Sequence, residues 1–109
     1  MYLHPEFEKL TRSEIEALQT ERLKKTVRQC MNSEFYRRRF AESHIDPDDI
    51  RSLSDLSRIP FTTKQDLRDN YPVGLQAANQ SEIVRVHASS GTTGNPTIVG
   101  YTRRDLEIW

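Results

Sequence analysis

The stretch HASSGTTGNPTIVGYT, residues 87–102, decides how the rest of the chain is read. From Ser89 to Pro96 every residue is a hydroxyl side chain, a glycine, an amide or a proline. β-rich runs lie on both sides. EIVRVHA places Ile83, Val84, Val86 and Ala88 before it, with Ile83 and Val84 adjacent and the alternation blurred there, and PTIVGYT follows. Two strands are therefore expected to pair antiparallel around a connection of about eight residues. Hairpin connections usually run about two to five residues, and longer ones tend to be functional or disordered.

The loop's chemistry suits an anion. Ser89, Ser90, Thr92 and Thr93 carry hydroxyls that can turn toward an oxyanion. Gly91 and Gly94 let a ligand approach the backbone, and successive N–H groups in such a turn form an anion-binding concavity. Pro96 limits the loop's freedom where it rejoins a strand. The spacing is neither G-x-x-x-x-G-K-[ST] nor G-x-G-x-x-G. Composition and spacing leave two readings open, a solvated turn and a phosphate loop, with the turn the commoner outcome for such residues.

Upstream the pattern is helical. Ser13 with Glu16, or Thr11 with Glu14, offers a capping box. Ile15, Leu18, Leu23, Val27, Cys30 and Met31 then follow helical spacing, predicting a helix from about Ser13 to Met31. A second, shorter helix is expected after Asn32 or Ser33, with Tyr36 and Phe40 on one face. Asp46 and Pro47 start a further helical turn, SDLSRIP another, and Thr62 with Gln65 or Thr63 with Asp66 caps a helix through KQDLRDN. Thr102 caps a last helix at RRDLEIW. The chain thus reads as α+β: a helical segment over 1–78, then residues 79–109 with the hairpin.

The 109 residues suffice for one small domain, and 16 basic residues balance 16 acidic ones. That balance, with a pI near 6.8, speaks against a nucleic-acid binder, and no apolar run reaches membrane-spanning length. The single cysteine, Cys30, suits a reducing compartment and the expectation is cytoplasmic. Mean hydropathy is −0.76, and the apolar residues are thin in the first half; with an ending that reads as a helix stopped short, the chain is expected to be part of something longer. Arg37, Arg38 and Arg39, with Lys24, Lys25 and Arg28 nearby, form a basic group best read as a solvated helix face. His87 precedes the loop and reads as structural; Cys30 lies on the apolar stripe and reads as a buried thiol. Asp48, Asp49, Asp66 and Asp69 read as cap and helix-face charges. No general acid/base pair and no metal-ligand spacing stands out.

The loop also resembles the phosphate-binding loop of the adenylate-forming superfamily, S-[ST]-G-T-[ST]-G followed by x-P. LSDLSRIPFTTKQDLRDNYP and VRVHASSGTTGNPTIVGYTRRDLEIW are similar to the phenylacetate–CoA ligase family in particular, and LQTERLKKTVRQCMNSEFYRRRF resembles that family's helical N-terminus. The resemblance runs from about Leu18 to Trp109. It implies that residues 79–109 begin the α/β ATP-binding core, with Ser89, Ser90, Gly91, Thr92, Thr93 and Gly94 wrapping the β- and γ-phosphates of ATP. It further implies an acid–thiol ligase that uses ATP and Mg2+ to turn an aryl acid such as phenylacetate into an acyl-adenylate. Coenzyme A then takes the acyl group, leaving AMP and pyrophosphate, a catabolic entry step. Many superfamily loops carry a lysine where this chain has Asn95 and Thr97, so Arg103, Arg104 or Mg2+ would have to supply that charge. The implied partners are the aryl acid, ATP and CoA, with no nucleic acid and no membrane; a homodimer is compatible with the reading. The family's catalytic lysine lies beyond Trp109, so no catalytic residue or metal ligand is expected here and the chain alone is expected to be inactive. The competing reading is a small helical interaction or RNA-binding module with a Gly/Ser/Thr linker.

Overall fold

Thr11, rather than Ser13, starts the longest helix. In the computed structural model, which describes residues 1, 3–89 and 96–109, helix α2 runs Arg12–Cys30 after a short α1, Pro5–Glu8. The Glu14 N–H donates to the Thr11 hydroxyl at 3.3 Å and the Thr11 N–H donates to the Glu14 carboxylate at 2.8 Å, so two otherwise orphaned donors are satisfied. Starting there also lets Arg12 reach Glu16 one turn on at 3.0 Å. Helix α1 was not expected; Pro5 at its first position was its signal.

Helix α3, Glu34–Glu42, has Ser33 at its N-cap, but the Ser33 side chain makes no cap hydrogen bond. Its buried hydroxyl donates instead to the Gly74 carbonyl at 3.5 Å. Phe35 and Phe40 are the buried residues of α3. Tyr36, expected on the buried face beside Phe40, is half-buried and shares a hydrogen bond with the Thr62 hydroxyl at 3.0 Å. Two 3-10 turns follow, Pro47–Asp49 capped by Asp46, and Leu53–Arg58. The first brings Ile50 down onto α2, where Val27, Phe40, Ile45 and Ile50 form the core with Leu23, Met31 and Ile59 packed against them. Removing those side chains from water is the main stabilising term for this part.

Helix α4, Lys64–Asp69, starts at the Thr63–Asp66 box. The segment around it is tied to the helices at several points. Arg39 donates to the Phe61 carbonyl at 3.2 Å and to Asp66 at 3.0 Å, and the Gln29 amide donates to the Ala77 carbonyl at 2.9 Å. After a 3-10 turn at Gln80–Glu82 come β1, Ile83–Ala88, and β2, Ile98–Thr102, paired antiparallel. The pairing slips between Ile83 and Arg85, where the adjacent apolar pair had blurred the alternation. Helix α5, Arg103–Ile108, is capped by the Thr102–Asp105 box. The fold is the expected helical segment followed by an antiparallel hairpin. No helix among the described residues is long and apolar enough to cross a membrane.

Candidate phosphate-loop site

Strand register brings the two ends of the hydroxyl-rich loop together. Ala88 pairs with Ile98, and one step further the Ser89 N–H donates to the Thr97 carbonyl at 2.9 Å. The Thr97 N–H donates back to the Ser89 hydroxyl at 3.2 Å, and the two hydroxyls share a short hydrogen bond. Ser89 thus stands at the foot of the loop, with its N–H engaged in closing it. Ser90, Gly91, Thr92, Thr93 and Gly94, the other expected phosphate contacts, lie outside the described residues, as does Asn95. Thr97 was noted only as a place without lysine; its role as Ser89's partner follows from cross-strand register, which spacing alone does not set.

One face of the hairpin stem carries an aromatic group. The His87 ring lies 4.7 Å from Tyr101 and 5.3 Å from Trp109, and Tyr101 and Trp109 stack at 5.8 Å with 15° between their planes. His87 pairs with Val99, so Tyr101 is its diagonal cross-strand neighbour. Trp109 arrives from the end of α5, whose direction the Thr102–Asp105 box sets. This matches the structural reading of His87. The other face covers a cavity of about 180 Å3 between the hairpin and the 67–78 segment, lined by Leu67, Leu75, Ile83 and Ile98 among others.

The remaining candidates are distributed elsewhere. Cys30 is half-buried, and burial pushes its thiol pKa up, which lowers the thiolate fraction a nucleophile needs. The basic group is divided: Arg39 bridges to Asp66 and lies over the Phe35 ring, and Arg37 donates to the Met31 carbonyl at 2.8 Å. Lys24 and Arg28 face a separate cavity with Arg51. No cluster of three or more His, Cys, Asp or Glu able to hold a metal occurs among the described residues. What the site offers chemically is donors: hydroxyls and backbone N–H groups on a loop whose two feet are fastened together.

The chain is similar to curated proteins along its whole length. It is 54% identical over 110 residues to the phenylacetate–coenzyme A ligase of Thermus thermophilus, a match covering 100% of this chain and 25% of that protein. The phenylacetate–coenzyme A ligase of Escherichia coli is 55% identical over 97 residues, covering 88% of this chain and 22% of its own. That of Aromatoleum evansii is 52% identical over 103 residues, covering 94% and 23%. The chain therefore spans about a quarter of the length of the curated relatives it matches. Among solved structures, 2-hydroxyisobutyryl-CoA ligase in complex with 2-HIB-AMP and CoA, in its thioesterification state, superposes with a TM-score of 0.81 at 33% identity, covering 93% of this chain and 23% of that one. The same ligase in a postadenylation state gives 0.78 at 30% identity. No protein-family model matches the chain.

Proposed function

We propose, because this chain belongs to the phenylacetate–CoA ligase family, that it furnishes the phosphate-loop wall of an ATP-dependent acid–thiol ligase acting on phenylacetate or a related aryl acid. The observation that carries the reading is a sequence identity of 54% in a match over 110 residues that covers 100% of this chain. Residues 1–78 act as the helical support, and residues 79–109 open the ATP-binding core. Ser89, Ser90, Gly91, Thr92, Thr93 and Gly94 hold the β- and γ-phosphates. The role of the loop is electrostatic: its hydroxyl and backbone N–H donors would offset the charge that develops as pyrophosphate leaves.

The residues present fit such a group. A polyphosphate needs several donors without side-chain bulk, and beyond Ser89, whose N–H and hydroxyl bond Thr97, the loop supplies three hydroxyls and two glycines. The Ser89–Thr97 closure keeps its ends from parting. ATP, with Mg2+ on its phosphates, supplies the adenylyl group, and coenzyme A the acceptor thiol. The chain's own part is to bind and orient the phosphates. With a quarter of its relatives' length, it does not carry out adenylation by itself. A cytoplasmic setting and a homodimeric assembly are both compatible with this reading.

Two measurements test this. Pyrophosphate titrated into the chain should shift the amide resonances of Ser89 and Thr97, and the double substitution Thr92→Ala/Thr93→Ala should weaken that binding about tenfold, the loss expected for hydrogen bonds to a charged group. Unchanged affinity in the double variant would remove the phosphate role. ATP–pyrophosphate exchange catalysed by the chain alone should stay at blank level; turnover would show that these 109 residues suffice for adenylation.

A further inference from the structure

Lys24 and Arg28 stand one turn apart on α2, and Arg51 reaches the same place from the chain following the Pro47–Asp49 turn. Together with Pro47, Asp48 and Ile50 they line a cavity of about 310 Å3. None of the three cations has an ion-pair partner within 4.0 Å among the described residues. Three cations against the one carboxylate of Asp48 leave the lining at 3 − 1 = +2. Like charges gathered in one concave place repel one another and focus a positive potential, which a dianion relieves.

A solvated helix end does not account for the arrangement. A cation in the last turn of a helix is favoured by the helix dipole, which explains Arg28. Lys24 lies further back, where that effect has fallen off, and Arg51 belongs to another segment. The cavity is also held in shape. Ile50, only 2% exposed, anchors its floor in the core beside Val27. The Arg51 Nε–H donates to the Asp48 carbonyl at 3.2 Å, and the Arg51 backbone N–H donates to Asp55 at 3.0 Å, so the stem is fixed while the terminal guanidinium nitrogens keep their donors. Two guanidinium forks and an ammonium suit the geometry of phosphate oxygens.

We propose that this cavity is a second anion site, separate from the hairpin loop, that takes a phosphate dianion, free or borne as a phosphomonoester on a small molecule. It involves no bond making or breaking. The proposal stands apart from the ligase reading, because none of its residues belongs to the 89–94 loop.

The test is a titration of the chain with inorganic phosphate, followed by amide and arginine Nε–H resonances at about pH 7.5, where phosphate is mainly dianionic. Sodium chloride at matched ionic strength serves as the control for screening. Lys24, Arg28, Ile50 and Arg51 should shift together and saturate. Arg28→Gln should weaken binding about tenfold, and Asp48→Asn, which removes the repelling carboxylate, should tighten it several-fold. Thr92→Ala/Thr93→Ala should leave these shifts unchanged. Glycerol phosphate binding as tightly as phosphate, or more tightly, assigns an esterified ligand; binding of phosphate alone assigns the free ion. Shifts reproduced by chloride, or indifferent to both Arg28→Gln and Asp48→Asn, would overturn the site. Loss of the shifts in the loop variant would place the anion in the hairpin loop and overturn it equally.

Discussion

Asp66 serves two structures with one carboxylate. It accepts the Thr63 N–H at 2.8 Å, closing the box that starts α4, and it accepts Arg39 at 3.0 Å, tying α4 to α3. The Thr63 backbone hydrogen bond, aided by the Arg39 guanidinium, holds its pKa below the ordinary aspartate value. Asp55 is lowered in the same way by the N–H groups of Arg51 and Ser52. A carboxylate depressed in the folded state adds stability above its unfolded pKa of about 3.9 and loses it as pH falls through the lower folded value. The melting temperature should therefore drop from about pH 4 downward, and Asp55→Asn with Asp66→Asn should flatten that drop. An equally steep acid limb in the double variant would contradict the assignment. Asp66 was read from the sequence as a cap charge, which it is. Its partner across 27 positions, Arg39, was assigned to a solvated face, because nothing local distinguishes it from Arg37 and Arg38.

At the scale of elements, the caps were legible and their tie-downs were not. Thr63 with Asp66 and Thr102 with Asp105 are local devices, three residues apart, and both form. Thr11 with Glu14 prevailed over Ser13 with Glu16, the box from which the sequence was expected to start the helix. Ser33 was read as a possible cap, yet its hydroxyl turns to Gly74, a choice made by packing between α3 and the chain after α4. Gly74 itself is required by close approach. A Cβ there would sit 2.6 Å from the Asn70 Cβ and 2.7 Å from the Asn70 carbonyl oxygen, and the latter cannot rotate away. Gly74→Ala should thus lower unfolding free energy by about 1–3 kcal/mol, the range for overpacking, read from denaturant midpoints. A variant as stable as the parent would show that the turn has room to relax.

For the whole molecule, stability is expected to be uneven. Val27, Phe40, Ile45 and Ile50 are each less than a tenth exposed, whereas Val84 and Val86 on β1 are more than half exposed and Val99 on β2 is 41% exposed. A two-stranded sheet with that much uncovered apolar surface is marginal by itself. Hydrogen exchange should be fast at the hairpin amides, close to local opening, and slow in the parts of α2 and α3 that pack around Val27 and Phe40. Equal protection in the two regions would mean that the hairpin draws more stability from the 67–78 segment than its exposure suggests.

The sequence by itself determined helices α2 to α5, the two strands, the hydroxyl-rich loop between them and the family, because each rests on local spacing or on a contiguous run of residues. Tertiary structure decided what depends on contacts between distant positions. It set the register that places Thr97 against Ser89, the Arg39–Asp66 bridge, the close packing at Gly74 and the meeting of Lys24 and Arg28 with Arg51. Those pairings are 8 or more positions apart along the chain, except for Asn70 under Gly74. Side-chain periodicity states which face a residue occupies, while only the folded backbone states what that face meets.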